Sequence, residues 1–190
     1  MGALWPRAPT STTVYTIGHS TRPAGELADL LLAHDVEVLA DTRSIPRSRH
    51  NPQFNPEELE PFLAERGIEY QHHPLLGGRR HARKDSPNTA WENLAFRGYA
   101  DYMQTAPFRQ GIEALEDLAR ARTVAVMCAE LAWWRCHRRM ISDRLTVDGF
   151  EVLHIMNPGH EPYPHKPSPG LTVVDGAISY PGSQPELPLR

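Results

Sequence analysis

The sequence predicts an α/β fold: a single Rossmann-like three-layer domain with a mainly parallel five-stranded sheet, plus a C-terminal proline-rich tail with a small β-hairpin. Three observations lead there. Between residues 12 and 156, short apolar runs of strand character alternate with stretches of helical periodicity, as repeated strand–helix–strand crossovers require. The runs are continuously apolar more than strictly alternating, which suits strands buried on both faces. Finally, 190 residues hold one proper core, with little room for a second full domain.

Taken in order, Thr12-Val-Tyr-Thr-Ile17 is rich in β-branched and aromatic residues and predicts the first strand, ended by Gly18-His19-Ser20. Residues 24–34 carry Leu27, Ala28, Leu30 and Leu31 at helical spacing. Val36 to Ala40 is the second strand, and Asp41-Thr42-Arg43 leads from it into a proline-broken loop. Over residues 56–66 the spacing predicts a helix, with Pro56 in the first turn, glutamates after it, Leu59, Phe62 and Leu63 on one face, and Gly67 as the stop. Ile68 to His72 is the third strand, followed by a long basic loop from 76 to about 92. Residues 96–105 and 107–121 read as helices, the second turning Ile112, Leu115, Leu118 and Ala119 to the core. A fourth strand over 123–128, a helix over 134–147 and a fifth strand from Glu151 to Met156 complete the domain, 12–156.

Residues 157–190 hold eight prolines and little periodicity. Within them, two short β-type runs flank Asp175-Gly176, a hairpin signal at about 171–180. The rest of the tail reads as a loose linker and a frayed end, and Met1 to Arg7 as a loose lead-in.

Composition is that of an ordinary globular chain, 40% hydrophobic and 23% charged. A formal charge of −3 exerts no global pull toward nucleic acid or membrane, so an anion-binding surface has to come from local patterning. No apolar run is long enough to cross a bilayer, no membrane partner is expected, and Met1 to Arg7 lacks the features of a secretory signal. The expected location is cytoplasmic. The two cysteines, Cys128 and Cys136, fit neither a zinc pattern nor Cys-x-x-Cys, and two free thiols are expected.

In an open parallel sheet, ligands bind beyond the carboxyl ends of the strands. Four successive strand ends here carry arginine, histidine or both: His19, Ser20 and Arg22; Asp41, Arg43, Arg47 and Arg49; Arg79, Arg80, His81 and Arg83; then Cys128, Glu130, Arg135, His137 and Arg138. Acidic residues gather instead on helices, as at Glu57, Glu58 and Glu60. The bland reading is that loops are polar. The functional one is an anion-binding cleft, since a guanidinium offers a planar fork to phosphate or carboxylate. Its expected binding residues are His19, Ser20, Asp41, Arg43, Arg47, Arg79, Arg97, Tyr99 and Arg138, with Tyr99 and Arg97 bordering the cleft where a ring can stack on a base. Asp41 is also a candidate partner for Arg43 or His19, or a ribose-hydroxyl acceptor.

Cys128 has two readings. It is either a small core residue at a strand end or a thiolate favoured by a helix N-terminus and nearby arginines. Cys136, read as one turn inside the following helix, joins Met140, Ile141 and Leu145 in a core stripe. His137 is a candidate acid, base or ligand, and Glu130 a candidate general base or arginine partner. Cys128 to Arg135 spans one residue more than the Cys-x5-Arg loop of tyrosine phosphatases, and its bulky Leu-Ala-Trp-Trp insert lacks their small residues. Gly18-His-Ser-Thr21 is not a dinucleotide loop.

The ordered motifs Thr16-Ile-Gly-His-Ser-Thr21, Asp41-Thr-Arg43 with Pro46-Arg-Ser48, Asn51-Pro-Gln-Phe54, Leu76-Gly-Gly78, Phe96-Arg-Gly-Tyr-Ala-Asp-Tyr-Met103, Met127-Cys-Ala-Glu130, Cys136-His-Arg138 and His154-Ile155 resemble the bacterial and archaeal family called domain of unknown function 488. The resemblance runs from about residue 14 to 156, and Val174-Asp-Gly176 with Tyr180-Pro181 echoes the family's tail. It implies a compact Rossmann-like domain without a settled activity. Some members carry a DNA repair label. Leu131-Ala132 depart from the proline-containing turn of many relatives.

Three functions are expected in turn. The first is an enzyme acting on an anionic, phosphate-bearing substrate such as a nucleotide or nucleic acid, with Cys128 as nucleophile or ligand and Glu130 and His137 as acid and base. The second is a non-catalytic nucleic-acid-binding module associated with DNA repair. The third is a metal or haem protein in which Cys128 pairs with His19 or His137. No particular cofactor or oligomeric state is specified by the sequence.

Overall fold

A computed structural model describes residues 12–182. The expected lead-in before residue 12 and the end of the chain after residue 182 lie outside the described residues. Along the chain run β1 (Thr13–Gly18), α1 (Ala24–Leu32), β2 (Val38–Asp41), α2 (Pro56–Ala64), β3 (Glu69–His72), α3 (Leu94–Tyr102), α4 (Ala106–Ala121), β4 (Val124–Cys128), α5 (Arg138–Val147), β5 (Glu151–Ile155), β6 (Tyr163–Pro164), β7 (Thr172–Val174) and β8 (Ala177–Ser179). The fold is α/β, with one six-stranded sheet in the order β3-β2-β4-β1-β5-β6. Its pairs are parallel except the last, β5 with β6.

Why β4 is continuously apolar is clear from its place between β1 and β2. Val124 and Val126 pack with α3, α4 and α5 residues such as Tyr99, Leu115 and Ile141. Ala125 and Met127 point the other way, to Leu27 and Leu31 of α1 and Leu59 and Leu63 of α2. Two cores thus sandwich the sheet. Edge strand β3 has no residue buried, and it is correspondingly polar.

Two expectations need correction. The sheet has six strands, not five, because the tail returns to add β6. Two residues, one of them Pro164, carry no strand signal. Proline fits there because an edge strand has no further neighbour needing its missing N–H. The second correction concerns the segment after β4. No continuous helix begins at residue 134. Trp133–Arg135 form one 3-10 turn, Cys136 is extended (φ −133°, ψ 153°), and α5 starts only at Arg138. Cys136 is therefore outside the helix, not part of its core stripe.

The described tail is held to the body. Buried Asp143 of α5 accepts hydrogen bonds from the Ser168 N–H (2.9 Å) and the Tyr180 hydroxyl (2.8 Å) and faces His165 Nε2 at 2.9 Å. Strands β7 and β8 pair antiparallel across Asp175 and Gly176, both at positive φ, the backbone that a two-residue hairpin turn demands.

Candidate functional site

β4 is inserted between β1 and β2, so the carboxyl ends of these three strands lie side by side. Beyond them opens a cleft of about 410 Å³. β1 contributes His19 to it, the loop after β2 contributes Arg43, Ser44, Arg47, Ser48 and Asn51, and the loop after β3 contributes Gly78 and Arg79. The segment after β4 adds Cys128, Glu130, Arg135, Cys136 and His137, while Phe96 of α3 closes one side.

On one wall Arg43 is 7% exposed and fully engaged. Its Nε and Nη2 donate to both carboxylate oxygens of Asp41 (2.6–3.0 Å), and Nη2 also reaches the Phe54 carbonyl at 2.7 Å. Tyr70 donates a further hydrogen bond to Asp41 at 2.7 Å. Burial alone lowers the Arg43 pKa, but the bond to Asp41 outweighs it and raises the guanidinium above its usual value. The Nη1 of Arg43 lies 3.3 Å from His19 Nε2, and His19 Nδ1 lies 2.8 Å from the Ser20 carbonyl. A carbonyl only accepts, so Nδ1 carries the proton and Nε2 accepts from Arg43. His19 is accordingly neutral: burial, chiefly, brings its pKa down to about 4, with Arg43 and Arg138 helping against the Ser20 hydrogen bond.

On the other wall the two cysteines meet. Cys128 is 1% and Cys136 5% exposed, both thiols are free, and their sulfurs are 2.6 Å apart. Cys136 Sγ also lies 3.4 Å from His137 Nδ1. His137 Nε2 faces the Thr42 carbonyl at 3.2 Å and the Thr42 hydroxyl at 3.3 Å, and that hydroxyl itself donates to the Met127 carbonyl. Both Thr42 oxygens are therefore acceptors toward Nε2–H, which leaves Nδ1 free to take the Cys136 proton.

Arg138, 1% exposed, reaches the same Glu130 carbonyl that Cys128 Sγ faces at 3.8 Å. Its Nη2 donates to the carbonyls of Glu130 (2.7 Å) and Leu131 (3.1 Å), whereas Nε and Nη1 have no partner and no carboxylate pairs with it among the described residues. The consequences for the thiols are opposite. Burial and the Cys136 contact push the Cys128 thiol well up. Burial also pushes Cys136 up, but the hydrogen bond from Cys128, His137 and the charge of Arg138 together bring it well below the usual thiol range.

Glycines make room for this packing. A Cβ on Gly18 would stand 1.9 Å from the Glu130 carbonyl oxygen, so β1 can pass the turn after β4 only without a side chain. A Cβ on Gly78 would lie 2.4 Å from His137 Nδ1, the atom that faces Cys136.

The family model described as Domain of unknown function DUF488 matches residues 23–145. The chain belongs to the DUF488 family. The DUF488 match starts after the Gly18-His-Ser turn and ends within α5, a narrower span than the resemblance drawn from motifs. No curated protein and no solved structure matches the chain.

Of the expected site residues in this DUF488 chain, His19, Arg43, Arg47, Arg79, Cys128, Glu130 and His137 line the cleft. The others stand elsewhere. Asp41 lies behind Arg43, and Ser20, at φ +50°, serves His19 through its carbonyl. Tyr99 does not border the cleft: it is fully buried, donates to the Leu76 carbonyl at 2.8 Å and packs its ring 5.2 Å from that of His137. Arg97 turns away to the Trp91 carbonyl and lines a separate pocket with Arg80 and Arg83. Arg138 lies under the cleft floor instead of clamping a ligand. Sequence reasoning missed Cys136 and Thr42 as parts of the site, although the adjacent Cys136-His137-Arg138 was a usable signal. As for a metal, no group of three or more His, Cys, Asp or Glu is arranged to hold an ion among the described residues. No described helix is long and apolar enough to cross a membrane.

Proposed function

We propose that this chain is a thiol-dependent enzyme of Rossmann-like fold acting on an anionic, phosphate-bearing substrate such as a nucleotide or nucleic acid, with Cys136, not Cys128, as its nucleophile. One observation carries the assignment: the Cys136 thiol lies against both Cys128 Sγ and His137 Nδ1, two residues before a buried guanidinium, Arg138, that has no carboxylate partner among the described residues. A buried charge demands a counter-charge, and the Cys136 thiolate supplies it. The proton passes from Cys136 Sγ to His137 Nδ1. Arg79 and Arg135, which line the cleft and have no ion pair among the described residues, receive the anionic end of the substrate. Sulfur attacks the electrophilic centre, the leaving group departs with the proton from His137, and water activated by Glu130 releases the bound group.

The test uses iodoacetamide and the peptide masses it produces. Cys136 should alkylate with a half-maximal rate below the ordinary thiol pKa of about 8.5. Inorganic pyrophosphate should slow that reaction, and Arg79→Ala with Arg135→Ala should abolish the protection. A Cys136 that titrates like a free thiol, or is unprotected by pyrophosphate, ends the proposal.

A second reading rests on Trp134, 48% exposed beside Arg135. A ring next to a cation is a stacking platform for a nucleic-acid base, and the chain would then be a binding module for single strands. Binding that weakens steeply with salt, survives Cys136→Ser and fails without the arginines favours it over the enzyme.

A further inference from the structure

The same walls hold a second chemistry. Cys128 and Cys136 come from different elements, the end of β4 and the extended residue before α5, yet their sulfurs are in contact at the cleft floor. Building on the reading of Cys136 as a thiolate, we infer that the two cysteines form a peroxide-sensitive pair, closed to a disulfide by a small hydroperoxide entering the cleft, and that closure switches the site off.

The reaction balances with the hydroperoxide as sole oxidant. Cys136 sulfur attacks the terminal peroxide oxygen: an S–O bond forms, the O–O bond breaks, and the departing alkoxide takes the proton held at His137 Nδ1 to leave as alcohol. Cys136 is now a sulfenic acid. Cys128 sulfur attacks Cys136 sulfur, the S–S bond forms, the S–O bond breaks, and the departing hydroxide leaves as water with the Cys128 thiol proton. Two thiols lose two electrons and one peroxide gains them.

Geometry selects this oxidant. A hydroperoxide presents the oxygen to be attacked at one end of the molecule, so it can reach a sulfur at 5% exposure along the cleft. The pair is also built for easy reopening. In the reduced state the Arg138 charge favours a thiolate at Cys136, and in the disulfide that anion is gone while no carboxylate pairs with Arg138 among the described residues. Stabilising the reduced form makes a disulfide more oxidising.

Intact mass spectrometry of the full chain after one equivalent of hydrogen peroxide tests this. The natural sequence should lose two hydrogens. Cys128→Ser should instead gain one oxygen, at Cys136, trappable with a 1,3-dione; Cys136→Ser should stay unchanged. In dithiothreitol redox buffers Arg138→Met should shift the equilibrium toward the disulfide by tenfold or more, about 30 mV for a two-electron couple, while Arg138→Lys stays near the starting value. If the natural chain gains oxygen without losing two hydrogens, the pair is refuted although a thiolate at Cys136 stands. If a disulfide forms but no faster than between unactivated thiols, and Cys136→Ser leaves Cys128 equally oxidisable, the thiolate reading fails and the inference with it.

Discussion

Two arginines are buried at one cleft, and they differ in a way that separates architecture from chemistry. Arg43 is tied by Asp41 through three hydrogen bonds, and its remaining donors reach Phe54 and His19. Arg138 meets only two backbone carbonyls and leaves Nε and Nη1 without partners. A buried charge matched by a carboxylate is a fixed post: it positions His19 and the loop after β2 and has little left for a ligand. A buried charge matched by no carboxylate biases whatever ionisable group stands beside it. Here that group is a thiol.

The largest effect comes from breaking the matched pair. Asp41→Asn leaves Arg43 buried without its counter-ion and should cost about 3–5 kcal/mol, read from the urea midpoint at pH 7. Arg138→Met removes a charge matched by no carboxylate, and the Cys136 thiolate left behind can regain its proton, so with two carbonyl hydrogen bonds lost the change should cost only about 1–2 kcal/mol. If the two losses are equal, Arg138 is held by a fixed partner as Arg43 is, and the contrast is false.

His19 touches Arg43, and the charge of Arg138 also reaches it, so it reports on both. Its folded pKa of about 4 is depressed below the unfolded value near 6.5, so the unfolded chain binds the proton more tightly. Its contribution is fully present above pH 6.5 and is lost as pH falls toward 4, on the order of 3 kcal/mol in all. His154, down to about 2 chiefly through burial, extends the same loss to lower pH. Urea midpoints at pH 7 and pH 4.5 should therefore converge for His19→Gln relative to the natural chain. A chain whose stability rises on acidification contradicts the neutral His19.

Much of this was legible beforehand, for physical reasons. Apolar runs such as Val124 to Met127 announce buried strands because each face meets a different core, and the positions following parallel strands converge whatever their sequence separation. What was not legible depends on direction. Cys136 lies four residues before Met140 and so counts as helical by spacing, but its extended backbone brings it to Cys128. Arg43, Arg79 and Arg138 look alike in a sequence, and only the neighbouring carboxylate shows which are engaged. β6 leaves no signal because its pairing partner, β5, supplies the order.

The smallest expected effect lies at the cleft rim and defines the limit of the comparison. Arg47 pairs with Glu57 at 2.6 Å, but both side chains are largely exposed (66% and 46%). Water and salt screen such a pair, so Arg47→Ala should change stability by less than about 1 kcal/mol. Its pairing also occupies it, unlike Arg79 across the cleft. Arg47→Ala should consequently weaken pyrophosphate protection of Cys136 less than Arg79→Ala does, most visibly at low salt. Equal losses would mean that Glu57 releases Arg47 when an anion arrives, and a rim arginine would then count among the binding groups despite its partner.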